Sequence, residues 1–377
     1  MNHSVCSSGP WTKTRVSSKL GIEYPIIQGP LGGLSTPRLT AAVSNSGGLG
    51  SFGAHGLSPS AIGDAISEIR ALTDKPFGIN LWISIEDEGA HTSGRAAFEQ
   101  GLAPLAEHIH ALGGTLPTFE PYVAFRLEDQ VRVVLDAKVP AFSFIYGIPP
   151  REILEEFRAQ GIQAIGTATT LDEAIALEEA GVDAIVASGF EAGGHRGSFL
   201  RSAEESLTGT FSLVPQAVDA VSVPVIAAGG IGDARGIVAA FALGAEGVQI
   251  GTAFLACEES GANLQYRNAL LSGDRRRTGL TRGFTGRLSR GIHNQLLEEL
   301  NRPGVEILPY PLQRALVRSL SALAEEAGKP ELFPLWAGQS VSLTRATEAK
   351  ELFRMLVSEV SHIAEPVIRW NRERGNK

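Results

Sequence analysis

The chain of 377 residues is 43% hydrophobic and 20% charged, a balance that buries enough apolar surface to offset ordering entropy and so excludes a disordered chain. A formal charge of −8 and a pI near 5.6 oppose nonspecific attraction to nucleic acid or anionic lipid. The two cysteines, Cys6 and Cys257, stand far apart without CxxC or Cys/His ligand spacing, which argues against a disulfide framework and against a metal site.

Residues 1–20 hold no apolar run of signal-peptide length, and no later stretch is apolar enough to cross a bilayer. The expectation is a soluble cytoplasmic protein with no membrane or nucleic-acid partner. The 43 glycines stand well above the usual share of about 7%, which points to many tight turns or to backbone lying close to a ligand.

Short apolar runs bounded by Gly and Pro begin at residues 25–31, 48–54 and 77–83. They continue at 141–147, 163–168, 184–189, 223–230 and 247–254, and predict eight buried parallel strands. Helical patterns lie between them. Thr36 is placed to cap a helix with Pro37 at its first position and Gly47 past its end. Thr170 and Glu173 have capping-box spacing, with Gly181 as the stop, and residues 233–244 repeat the scheme. Eight βα units predict an α/β protein of the (β/α)8 TIM-barrel class. A doubly wound open sheet would require GxGxxG after its first strand, and none stands there.

After Phe254 the strand pattern stops. Residues 259–335 read as helices and loops, a small helical subdomain covering the barrel mouth, and residues 346–363 as a helix that returns to close the barrel. The barrel domain is thus expected over 14–258 plus 336–377. Residues 84–125 read as an elaborated loop over the barrel top. Seven arginines between Arg267 and Arg290, with Asp274 as the one acid, read as a solvated face.

In such a barrel the strand C-termini share one mouth, where ligands are handled. Candidates there are Gln28, Gly29 and Pro30 after the first strand, His55 after the second and Asn80 ending the third. Ser188, Gly189, Gly193, Gly194 and His195 follow the sixth strand, Gly229 and Gly230 the seventh, and Gln249, Ile250, Gly251 and Thr252 the eighth. Glycines after the last strands let several backbone N–H groups converge on a phosphate, and the helix opening near Asp233 would add its dipole. Flavin mononucleotide, a nucleotide or a sugar phosphate would all satisfy that cradle. His195, in a glycine-rich loop, can lend or take a proton near neutrality. For His55 and Asn80 the residues leave a structural and a ligand-facing role equally open.

With those residues in view, the chain resembles the nitronate monooxygenase family, formerly called 2-nitropropane dioxygenases, which are FMN-binding barrels. The likeness rests on QGPLGGLSTP at 28–37, AAVSNSGGLG at 41–50, PFGINL at 76–81 and, most specific, EAGGHRG at 191–197. FTGR at 284–287, RGIHN at 290–294, Tyr310-Pro311 and LWAGQ at 335–339 extend it. The resemblance is to the class I enzymes. It implies His195 as the catalytic residue and FMN contacts from Asn80, Ser188, Gly193, Gly230 and residues 249–252. With the mouth residues above, the cofactor-binding set also takes in Gln28, Gly29, Pro30, Gly189, Gly194 and Gly229.

Two positions depart from the family pattern: Leu31 replaces a common methionine, and Ser188 replaces a glutamine, so Ser188 reaches the flavin only by a shorter bond or through water. The implied reaction is oxidative denitrification of a small anionic nitronate such as propionate 3-nitronate with dioxygen and no metal. His195 would orient and electrostatically hold the nitronate, or take an α-proton from a neutral nitroalkane. Alternatives on the same barrel are a flavin-dependent enoyl-acyl carrier protein reductase, an NAD(P)H:quinone reductase and a flavin-binding protein without catalysis. Oligomeric state is open, with a homodimer as the form to test.

Overall fold

The computed structural model describes residues 10–84, 87, 90, 93–120, 125–272, 277–345 and 347–375. Its strands are β1 (Ile26–Gln28), β2 (Gly50–Gly53), β3 (Phe77–Trp82), β4 (Ala141–Ile145), β5 (Gln163–Ala168), β6 (Ala184–Ser188), β7 (Gly194–His195), β8 (Val225–Ala228), β9 (Gly247–Ile250), β10 (Thr278–Thr281) and β11 (Ser289–Ile292). Eight of these pair in parallel in the order β1-β9-β8-β6-β5-β4-β3-β2. The ring closes at its seam, where Gln28 N–H donates to the Leu49 carbonyl at 2.9 Å and Leu49 N–H to that of Ile26 at 3.0 Å. The protein is an α/β barrel, as the eight apolar runs predicted.

Alternation along each strand builds two cores. Ile26, Phe52, Ile79, Phe142, Phe144, Ile185, Ala227 and Val248 face outward into the layer beneath the helices. Ile27, Ala141, Ile165, Val186 and Ile226 face inward, joined by Val16 and Leu20. Those two belong to the helix Arg15–Leu20, which a Thr14/Ser17 capping box starts. Caps fix the other helices as expected at Thr36 and Pro37. At Thr170 only half of the capping box forms. Its hydroxyl accepts from Glu173 N–H, but the buried Glu173 carboxylate instead accepts from Thr169 N–H at 2.7 Å and Phe199 N–H at 2.6 Å. A loop is thereby tied down rather than a helix end.

The region beyond the barrel differs from expectation. Residues 259–335 carry strands β10 and β11, which form an antiparallel sheet with β7 from the barrel side. Their alternation is too short and too glycine-rich to register as strands in the sequence. The segment 84–125 contributes the helix Arg95–Ala111. Phe98, Leu102, Leu105 and Ile109 on that helix pack with Leu312, Leu316 and Leu320 of the helix Leu312–Glu326 into a separate apolar cluster. The chain ends in the helix Ala349–Gly375, whose Leu352, Phe353, Leu356 and Val360 join the outer barrel core. No helix among the described residues is long and apolar enough to cross a membrane.

Candidate active site

One cavity opens at the C-terminal ends of the barrel strands. Inward alternation delivers polar side chains to its floor: Asn80 from β3, Ser143 from β4, Thr167 from β5, Ser188 from β6 and Gln249 from β9. Asn80, only 2% exposed, donates to Ser143 Oγ at 3.0 Å. Parallel pairing puts Asn80 beside Ser143 and Gln249 beside Ala228, so the floor is a ring of donors and acceptors at one level.

Glycine forms one wall. Gly229 and Gly230 have φ of +97° and +74°, a region that costs other residues about 1–2 kcal/mol. A Cβ at Gly229 would stand 2.9 Å from the Gly189 carbonyl oxygen, and one at Gly193 would stand 2.4 Å from Ala337 C and Gly338 N. Among the described residues, the N–H groups of Gly230 and Gly251 have no hydrogen-bond acceptor. Gly251 is half-buried and Gly230 exposed, so both N–H groups are available to an anion carrying several oxygens. The dipole expected from the helix Ala234–Ala242 is not available in full, because Asp233 caps that helix end by accepting from Arg235 N–H. The glycine amides are the donors left at that wall.

Opposite lies an aromatic and basic end. His195 Nε2 lies 2.8 Å from Thr285 Oγ1, and the Trp82 ring stands edge-on to the imidazole at 4.9 Å. His55 stacks flat on Trp82, with centroids 3.9 Å apart and planes 7° apart. The guanidinium of Arg287 sits 4.2 Å from the Tyr146 ring and 4.6 Å from that of Tyr310, and its Nε donates to Asp87 Oδ1 at 2.7 Å. Arg314 lines the cavity beside them and donates to Tyr310 Oη at 3.1 Å. Burial, then the positive charges of Arg314 and Arg287, push the His195 imidazole down to about 3. Burial and the same two arginines, with His195, hold His55 well below its ordinary value. Both rings are therefore neutral near pH 7, and a neutral His195 works as a hydrogen-bonding group rather than as a cation.

Most of the residues expected at the mouth meet here: Gly29, Pro30, Asn80, Ser188, Gly193, Gly194, His195, Gly229, Gly230, Gln249, Gly251 and Thr252 all line the cavity, and so do His55 and Leu31. Gln28, Gly189 and Ile250 do not. Ile250 faces the outer core. Gln28 is fully buried, its side chain accepting from Ser51 N–H at 3.1 Å and donating to the Gly29 carbonyl. Gly189 N–H is spent on the Ala228 carbonyl at 2.9 Å. The arginine run is not one solvated face: Arg287 and Arg290 are 5% and 4% exposed, while Arg282 pairs with Glu204 at the surface. Arg275, Arg276 and Asp274 lie outside the described residues, as does Cys6. Sequence reasoning missed Trp82, Thr285, Arg314 and Trp336 as lining residues. Trp82 was within reach, two places beyond Asn80 and so on the same strand face.

A closed α/β barrel whose strand ends open on one cavity, with a glycine wall facing a held imidazole, has the layout of a barrel enzyme. The family model for nitronate monooxygenase matches residues 13–359. A protein from Staphylococcus aureus described as a probable nitronate monooxygenase is 42% identical, covering 94% of this chain and 99% of its own. Among solved structures, nitroalkane oxidase from Streptomyces ansochromogenes superposes with a TM-score of 0.84 at 35% identity, covering 94% of this chain and all of that one. FabK from Thermotoga maritima superposes with a TM-score of 0.73 at 31% identity, covering 95% and 99%. The chain belongs to the nitronate monooxygenase family, a family of oxidoreductases.

Proposed function

We propose that the chain is an FMN-dependent nitronate monooxygenase that oxidises small alkyl nitronates, propionate 3-nitronate among them, with dioxygen. The observation that carries this reading is a single cavity joining acceptor-free amides at Gly230 and Gly251 to the imidazole of His195. The glycine wall fits a phosphate because any Cβ at Gly193 or Gly229 would collide with backbone. The ring of Asn80, Ser143, Thr167, Ser188 and Gln249 fits a flat heterocycle with polar edges. The buried Trp336 Nε1, which has no partner, is a further donor for such a ligand. Bound FMN would supply the redox capacity that converts the nitronate to a carbonyl product with nitrite or nitrate.

The chain's own residues then orient and exclude. Thr285 fixes the His195 ring through Nε2, leaving Nδ1 as its free edge. A base held down to about 3 is poorly matched to taking an α-proton from a neutral nitroalkane and suits a substrate that arrives deprotonated. Trp82, Tyr310 and Trp336 crowd the imidazole within 6.5 Å between centroids and favour a small substrate over a bulky one.

The test is an absorbance spectrum of the purified protein, then anaerobic addition of propionate 3-nitronate, then NADH. Flavin bands that bleach with nitronate, and oxygen uptake in air, are expected. The likeness to FabK supports a second reading, in which NADH or NADPH bleaches the flavin and an enoyl thioester or a quinone is turned over. Bound flavin that neither donor bleaches would make the chain a non-catalytic flavin binder, and a colourless protein that takes up no FMN would reject both enzyme readings.

A further inference from the structure

The substrate of the proposed reaction is an anion, and the residue expected to hold its charge, His195, is neutral in this site. Charge therefore has to come from elsewhere on the lining. Among the described residues that line the cavity, only His55, His195 and Arg314 can carry a positive charge, and no carboxylate is among them. The neighbouring arginines are already engaged. Arg287 is paired with Asp87, Arg282 with Glu204, and Arg290 donates to the Phe190 carbonyl at 3.0 Å and to Thr278 at 3.1 Å. Arg314 has no carboxylate within pairing distance among the described residues, and its one hydrogen bond goes to the Tyr310 hydroxyl.

Its position on the helix is a second, independent sign. Arg314 is the third residue of the 15-residue helix Leu312–Glu326, whose first turn holds no acid and whose N-cap makes no side-chain bond. A cation in a first turn opposes the helix dipole and is unfavourable by itself. An anion in the cavity reverses that sign, since the dipole and the guanidinium would then attract the same charge. Arg314 Nη1 also stands 3.5 Å from the Cβ position of Gly56, in the turn that follows β2, whereas the glycine amides follow β8 and β9.

We propose that Arg314 is the residue that holds the substrate's negative charge and makes the site select nitronates over neutral nitroalkanes. The proposal rests on the nitronate reading above. A nitronate presents two oxygens in one plane, as a carboxylate does, and a guanidinium fork matches that shape with its unused N–H groups. Arg314 binds and positions, while His195 takes the hydrogen-bonding role at the reacting end.

The experiment compares FMN-saturated wild type, Arg314→Gln and Arg314→Lys. Steady-state kinetics use ethyl nitronate and neutral nitroethane, and calorimetry measures nitrate as an inert planar anion. Losing one charge-assisted contact predicts that Arg314→Gln raises the KM for ethyl nitronate and the Kd for nitrate by about 10–100-fold, with kcat and FMN affinity little changed. Arg314→Lys should recover much of the nitrate affinity, and the ratio of KM for nitroethane to KM for the nitronate should collapse in Arg314→Gln alone. Unchanged nitrate affinity with an unchanged KM would overturn the proposal. So would a loss of FMN affinity in place of nitrate affinity, which would assign Arg314 to the cofactor phosphate. If the wild type consumes no oxygen with any nitronate, the functional reading fails by itself, and nitrate calorimetry still decides the role of Arg314.

Discussion

Gly193→Ala tests the glycine wall directly. The added methyl would lie 2.4 Å from both Ala337 C and Gly338 N, and both are backbone atoms. Restoring ordinary contact requires residues 337–338 to retreat by about 1 Å, because rotating a side chain relieves nothing. That segment is held by Gly338 N–H donating to Thr252 Oγ1 at 2.9 Å and by Gln339 N–H donating to the Glu191 carbonyl at 2.9 Å. Losing both hydrogen bonds costs about 2 kcal/mol at roughly 1 kcal/mol each; because FMN would need that wall back in its parent position, the same amount weakens FMN affinity by about 30-fold. Fluorescence titration of the flavin-stripped protein measures it. Gly113→Ala is the control, since that glycine has nothing within 4 Å of its Cβ position and should lose only a little stability to its positive φ. If Gly193→Ala binds FMN as tightly as the parent, the claim that this wall is shaped by close backbone approach is wrong.

Three further expectations follow from the same geometry. His195→Gln should lower kcat with a nitronate by about 100-fold while flavin content stays unchanged, and Thr285→Val should show a smaller loss in the same assay. The His195 and His55 imidazoles are held below their ordinary value, so below about pH 6.5, and for His195 down to about pH 3, the unfolded chain binds more protons than the native one. Stability should therefore fall on acidification below about 6.5, by no more than about 1.4 kcal/mol per pH unit for each ring and less where solvent reaches the cavity. Urea midpoints at pH 7, 5.5 and 4.5 measure this, and a slope that His195→Gln fails to reduce would contradict it. Asp87→Asn should cost about 2–4 kcal/mol of stability by leaving the buried Arg287 charge uncompensated, seen as a lower thermal midpoint. An unchanged midpoint would mean that the Trp82, Tyr146 and Tyr310 rings around Arg287 suffice to hold it.

Strand count, barrel closure and the glycine wall were legible in the sequence because each rests on local signals: apolar runs, Gly and Pro punctuation, and glycines at strand ends. Which residue of a run turns inward was legible as well, though a list of contiguous positions obscures it. Alternation separates Gln249 on the floor from Ile250 in the outer core, and Ser188 on the floor from Gly189 behind it. The region above the barrel was harder to read. Arg287 gathers Ser84, Asp87, Tyr146 and Tyr310 from segments up to 203 positions away, and no local periodicity announces that grouping. The charge state of His195 was unreadable for the same reason, since it depends first on burial and then on Arg314 and Arg287 arriving from the chain's last third.

The short strand at Gly194–His195 is hydrogen-bonded to Ser289–Ile292 rather than to its barrel neighbours, and Arg196 N–H extends the pairing to the Leu288 carbonyl at 2.9 Å. The upper unit is therefore no detachable ornament. An engineer who trims it to obtain a minimal eightfold scaffold, or swaps in a foreign lid to accept larger molecules, would remove the rung on which the imidazole hangs; new specificity has to be sought by changing side chains on a retained β11 edge.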